Sequence, residues 1–204
     1  MIEKDTLSEF QATVCLLKFI ITLAFLQSLA LFLNCRSLWL DEAMIALNII
    51  DRSYQELTAP LSYNQAAPVL FLWAEKITAR LFGYSEYGLR LFPLLCYWLN
   101  IFLFYKLIKR IFVSGPVLVF LLSLFCFNYW LLSYALNVKQ YTTDVTVMLI
   151  TLLFIFTNRT LNRKTSFFLA IFGVTGIFLS SITPIVLVTL ILNYLPLVSP
   201  TVQR

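Results

Sequence analysis

The 204 residues contain no histidine. That absence removes Ser-His-Asp and Cys-His triads, His-Glu-x-x-His zinc sites and imidazole acid–base work, so any proton transfer falls to carboxylates. Charge is scarce as well, with 12% of residues Asp, Glu, Lys or Arg, against about a quarter in a soluble domain. The five glycines never form G-x-G-x-x-G or G-x-x-x-x-G-K, which leaves no loop suited to cradling a soluble nucleotide. The four cysteines, Cys15, Cys35, Cys96 and Cys126, make no C-x-x-C pair and three lie inside apolar runs. They read as small hydrophobes, with no disulfide or metal framework.

What is abundant is apolar sequence, 60% of the chain, in Leu/Ile/Phe runs without period-2 alternation. In lipid every backbone polar group must be satisfied within a helix or a closed barrel, and unbroken runs choose the helix. The sequence predicts an all-α polytopic membrane protein of about five to six transmembrane helices, each of ~20 residues.

The first span is expected over Val14–Leu33. Ser28-Leu29-Ala30 has the small-x-small look of a cleavage site but lies inside the run, behind Glu3, Asp5 and Glu9, so the span is expected to be retained. Residues 34–88 form an outer loop, the least hydrophobic stretch and too long for a plain connector. Within it Ala43, Ala46, Leu47 and Ile50 recur at helical spacing. Pro68 then opens a second helix, with Leu70, Trp73, Ile77 and Leu81 as its apolar face and Glu75, Lys76 and Arg80 opposite. Both are expected to be amphipathic juxtamembrane helices lying on the membrane surface.

Residues 89–198 hold the remaining spans. One covers Leu89–Ile108 and one runs from Gly115-Pro116 to Ser133-Tyr134. Another ends near Phe156, and a last apolar stretch, Thr165–Val198, is interrupted at Ser180-Ser181-Ile182-Thr183-Pro184.

The net charge of +5 is scattered through short connectors, so it reads as topology and predicts no nucleic-acid partner. Lys106, Lys109, Arg110, Arg159, Arg163 and Lys164 fall on one side, which is predicted to be cytoplasmic. The 34–88 loop and the Lys139 connector then share the outer face. The sequon Asn158-Arg159-Thr160 lies on the inner side, and reads as chance.

Two polar clusters stand out against this background. Asp41 and Glu42 open a helix, where carboxylates can cap backbone N–H groups. Alternatively they project into a cleft, one as general base and the other holding ligand, in which case donors or a cation must offset their repulsion. Asn137, Gln140, Tyr141 and Asp144 recur at i, i+3, i+4 and i+7. They make one polar face at the membrane edge that either lines an aqueous cavity or binds helices together. Arg90 and Lys139 are interfacial anchors or ligands. Carboxylates and cations gathered on one face suit an anionic lipid-linked phosphate beside a hydroxyl that must lose a proton.

The ordered series Ser37-Leu38-Trp39-Leu40-Asp41-Glu42-Ala43, Tyr63-Asn64-Gln65 with Ala67-Pro68, Leu81-Phe82-Gly83, Glu86-Tyr87, Leu89-Arg90-Leu91-Phe92-Pro93, then Lys139-Gln140-Tyr141 and Asp144, resembles the GT-C class of bacterial membrane glycosyltransferases. The nearest branch is the one related to protein O-mannosyltransferases and lipid A aminoarabinose transferases, glycosyltransferase family 39-like. The resemblance implies a multi-pass protein of the bacterial inner membrane with its active site on the periplasmic face. It implies transfer of a sugar, with inversion, from a polyprenyl-phosphate donor to an acceptor hydroxyl or amine on a lipid, glycan or protein.

By that likeness Asp41 is the base, Glu42 its neighbour that helps hold substrates, and Asp144 a second functional acid. Arg90, Lys139, Gln140, Tyr141, Gln65 and Tyr63 are substrate-binding. No cofactor follows from the residues; a divalent cation, if one takes part, belongs at Asp41 and Glu42. Relatives are longer, with further spans and an outer domain. Residues 1–204 are therefore expected to correspond to the N-terminal part of the family's membrane domain. The alternative is a non-catalytic subunit that binds lipid-phosphate sugar and is completed by a second chain.

Overall fold

A computed structural model of the chain describes residues 2–158 and 162–194. Arg159 and Thr160 of the sequon, and residues 195–198 of the last expected span, lie outside the described residues. Among the described residues the chain is all-helical, with α1 (Ile2–Leu33), α2 (Leu40–Asp51), α3 (Val69–Leu81), α4 (Glu86–Ile111), α5 (Gly115–Cys126), α6 (Tyr129–Tyr134), α7 (Tyr141–Thr157), α8 (Arg163–Leu179) and α9 (Thr183–Tyr194). A single 3-10 turn, Glu56–Thr58, interrupts the α2–α3 connection.

Among the described residues two helices are long and apolar enough to cross a membrane. These are Glu9–Leu33 within α1, 25 residues, and α4, 26 residues, both longer than the ~20 that a hydrocarbon core of ~30 Å requires. Their surfaces suit lipid. On α1 a narrow stripe of Leu17, Ile20, Ala24 and Ser28 is buried, whereas Phe19, Leu23 and Leu26 face outward. Ser28 is part of the packing, since its hydroxyl accepts a bond from Trp98 Nε1 at 2.9 Å.

α4 is the central post. Tyr97 donates to the Cys126 carbonyl of α5 at 2.6 Å, and Asn100 Nδ2 donates to the Thr142 carbonyl of α7 at 2.8 Å. It begins earlier than the hydropathy pattern indicates, because Ser85 accepts from the Gly88 amide and caps it. The approach from α3 is tight. Gly83 takes a left-handed φ of +80°, and a Cβ on Gly88 would collide with the Gly83 carbonyl oxygen. This close turn sets the start of α4, and therefore the position of Arg90, against the 34–88 segment.

Two elements differ from the sequence reading. The expected third span is broken at Phe127–Asn128. Asn128 accepts from the Leu131 amide at 3.1 Å and so starts α6 as a separate helix, a competition that short polar side chains offer inside any helical run.

The continuous polar face over 137–144 is also broken. α7 starts only at Tyr141, and the Lys139 amide turns back onto the Asn137 carbonyl at 2.8 Å. Val138 is fully buried in the core of the 34–88 segment with Ile45, Ile49, Phe71 and Leu72. Burying that one side chain swings its neighbours out of helical register.

α3 turns its polar side to the protein. Leu70, Trp73, Ile77 and Leu81, the apolar face expected to lie on the membrane, are half-buried or exposed, with Leu81 71% exposed, and the buried residues are Phe71, Leu72, Glu75, Lys76 and Ala79. Lys76 explains this rotation of the helix. Its Nζ donates to the carbonyls of Ile49 at 2.6 Å and Ile50 at 3.4 Å. These belong to the last turn of α2, where unpaired carbonyls and the helix dipole favour a cation.

Glu75 is carried inward by the same rotation and is fully buried, with neither oxygen bonded among the described residues. Burial pushes its carboxyl well above the usual carboxylate range, which favours the neutral, protonated form. A carboxyl whose proton is bound more tightly in the folded state stabilises fully below its unfolded pKa, and loses that contribution as pH rises through the raised value. The detergent-solubilised protein is therefore expected to melt at progressively lower temperature as pH rises from about 5 to 9. Glu75→Gln is expected to flatten that slope. Thermal melts of both chains across the range check it, and parallel slopes would refute the assignment.

Candidate functional site

The two acids expected to matter sit on the first turn of α2, but as caps they do nothing. The residue preceding the helix is Trp39, with no side-chain cap, and among the described residues neither Asp41 nor Glu42 accepts a backbone amide. They point apart.

Glu42 is buried, and Arg90 Nη2 meets its Oε2 at 3.0 Å with both side chains only 3% exposed. Arg36 Nη2 meets Oε1 at 3.2 Å. Arg90 also donates to the carbonyls of Arg36 and Ser37, so a single guanidinium ties α4, the α1–α2 connector and the first turn of α2 together. Asp41 is 74% exposed, and its nearest cation is Lys139 Nζ at 3.9 Å.

Lys139 reaches this point because Val138 is buried beside it, and it is steadied by donating to Gln65 Oε1 at 3.2 Å. Gln65 follows a turn in which Tyr63 and Asn64 both take left-handed φ, +63° and +55°. That conformation is costly for a bulky side chain such as Tyr63. Buried Asn48 of α2 holds the turn by accepting from the Ser62 amide at 2.9 Å and donating to the Ser62 carbonyl at 3.3 Å. Arg36 also bonds the Asn137 side chain.

Between the start of α2 and the α6–α7 segment lies an open cleft of about 420 Å³. Asp41, Arg36 and Lys139 share its lining with Trp39, Tyr129, Trp130, Tyr134 and Tyr141. Around the acid pair three cations, Arg36, Arg90 and Lys139, meet two carboxylates. The positive excess answers the repulsion between adjacent acids and favours an anionic ligand. Both oxygens of Glu42 are occupied by guanidinium groups, so a divalent cation would have Asp41 as its free carboxylate here. Among the described residues there is no group of three or more His, Cys, Asp or Glu able to hold a metal.

Asp41, Glu42, Arg90, Lys139, Gln65 and Tyr141 thus come together, whereas three other expected site residues lie elsewhere. Tyr63 sits exposed on its turn, away from the cleft lining. Asp144 accepts from Ser180 Oγ at 2.6 Å and the Ser181 amide at 2.9 Å, and Gln140 Nε2 donates to Ser181 Oγ at 3.3 Å. Those contacts tie α7 to the α8–α9 break. Four residues of the region were not singled out from sequence: Arg36, Tyr129, Trp130 and Tyr134. The aromatic three were legible only as an aromatic run within an apolar span, which reads first as an interfacial belt.

Residues 66–204 match the family described as dolichyl-phosphate-mannose-protein mannosyltransferase. The matched region includes Arg90, Lys139, Gln140, Tyr141 and Asp144; Asp41, Glu42, Tyr63 and Gln65 precede it. No curated protein and no solved structure matches the chain.

Proposed function

Because the chain belongs to the dolichyl-phosphate-mannose-protein mannosyltransferase family, we propose that it is a membrane glycosyltransferase that moves a sugar from a polyprenyl-phosphate donor to an acceptor hydroxyl or amine. The supporting observation is the division of labour within the acid pair. Glu42 is locked by Arg90 and Arg36, while Asp41 remains exposed at the cleft within reach of Lys139.

In this reading Asp41 takes the proton of the acceptor as its oxygen or nitrogen attacks the anomeric carbon. The bond from that carbon to the phosphate oxygen breaks, and its electron pair leaves with the phosphate. Attack opposite the leaving group inverts the centre. A departing phosphate needs positive charge more than an acid, which Arg36 and Lys139 supply at the cleft. Glu42 and Arg90 hold the shape of the site from behind, and Asp144 acts through the α7 to α8–α9 junction.

The cleft faces the periplasm of a bacterial inner membrane. The bundle has six spans, namely α1, α4, the broken α5–α6, α7, α8 and α9, with α2 and α3 as the outer juxtamembrane unit.

The test is release of radiolabelled sugar from polyprenyl-phosphate mannose in proteoliposomes, alone and with candidate acceptors. Turnover above empty liposomes is expected. Donor binding without turnover would instead identify a lipid-phosphate-binding subunit that a second chain must complete, and absence of both would end the reading. Orientation is read separately. A cysteine at Ala59, with Cys15 and Cys35 replaced by serine, is expected to react with an impermeant maleimide only from the outer side.

A further inference from the structure

The cleft carries more aromatic surface than deprotonation and phosphate binding require. Tyr129, Trp130, Tyr134 and Tyr141 form a chain of touching rings, with successive centroids 5.3, 6.1 and 4.5 Å apart. The first two are the most open, Tyr129 at 72% and Trp130 at 63% exposure. Across the cleft, Trp39 is 67% exposed beside Asp41.

Rings serving only as interfacial anchors have no need to touch one another, or to converge on a charged cleft. The same wall alternates rings with small hydrogen-bonding groups, because Ser133 and Asn137 line the cleft beside Tyr134. Alternating π faces and short polar groups match the two sides of a sugar. Its C–H face carries slight positive charge and settles on the negative face of a ring, while its hydroxyls need donors and acceptors close by. An extended polypeptide would instead call for a row of free backbone groups.

Resting on the glycosyltransferase reading, we propose that the α6 ladder of Tyr129, Trp130 and Tyr134 is a saccharide-binding platform, and that the acceptor delivered to Asp41 is a carbohydrate. The reducing or terminal ring of the acceptor stacks on Trp130 and Tyr129. Tyr134 and Tyr141 then guide its reacting hydroxyl toward Asp41, and the donor phosphate occupies the Arg36–Lys139 end.

The experiment is saturation-transfer NMR on the chain in lipid nanodiscs, against empty nanodiscs. The probes are a panel of hexoses, N-acetylhexosamines and their disaccharides, beside serine- and threonine-containing peptides of similar mass. Saturation is expected on ring C–H protons of saccharides. It should weaken about tenfold in Trp130→Ala and be partly restored in Trp130→Phe. Thermal melts establish that the variants fold.

Equal saccharide signals in wild type and Trp130→Ala, saturation of the peptides alone, or no saturation of any sugar would each overturn the platform. The donor-turnover assay fails independently. A chain that binds sugars through Trp130 but releases none from donor lipid keeps the platform and loses the catalytic reading, and the converse result does the reverse.

Discussion

Asp41→Asn is expected to lower sugar transfer from polyprenyl-phosphate donor by roughly 10²–10⁴-fold, the contribution typical of a positioned general base. The substitution keeps shape and hydrogen-bonding capacity but cannot accept the acceptor's proton. The carboxylate is 74% exposed and the Lys139 ammonium lies 3.9 Å away, a long contact with one partner in solvent that contributes little to folding. The melting temperature should therefore stay within a degree or two of wild type. Loss of rate without loss of stability separates chemistry from structure. Turnover equal to wild type would remove Asp41 from the base role.

Arg90→Met is expected to do the opposite, reducing stability first and activity as a consequence. Removing one partner of a buried pair leaves the other charge unpaired in a low dielectric, at a cost of about 3–5 kcal/mol. Here Glu42 would keep only Arg36, whose side chain is 42% exposed. The carbonyls of Arg36 and Ser37 would also lose a donor. The same logic predicts the rescue. In Arg90→Met with Glu42→Leu no buried charge is stranded, so part of the lost stability should return, while turnover stays low because the α1–α2 connector is no longer tied to α4. Chemical unfolding of the two single variants and the double in detergent gives the coupling. Simple additivity would show that Arg90 and Glu42 do not act as a pair.

Much of the architecture can be read from residues alone. The α1 and α4 helices follow from apolar runs too long for a soluble core, and Pro68 ahead of Val69 marks where α3 begins. The Asp41-Glu42 pair is visible as the first acidic residues after the first span, and Lys139 as a cation within the polar interruption ahead of the fourth.

What the residues alone leave open has one origin. On α3 the period-3.6 pattern separates Leu70, Trp73, Ile77 and Leu81 from Glu75, Lys76 and Arg80, but a lysine stem reaching the carbonyls of Ile49 and Ile50 decides that the Lys76 side meets the protein. Over 137–144 the spacing is that of a helix, but burial of Val138 outweighs it. Asn137 consequently goes to Arg36, and Gln140 and Asp144 go to Ser180 and Ser181. Each outcome depends on a partner distant in sequence.

The sequence by itself determined the solvent, the helical class and the absence of histidine chemistry, because these rest on composition and on the need to satisfy backbone groups within each segment. It also presented an acid pair. Only the tertiary structure decided that Glu42 is spent on Arg90 and Arg36 while Asp41 stays exposed, and that five aromatic rings share its cleft. Adjacent carboxylates are chemically alike along the chain. Their roles diverge only when folding brings a guanidinium 48 positions away to within 3.0 Å of one of them. Apolar periodicity cannot foretell that, since lipid and protein interior are equally apolar neighbours for a helix face.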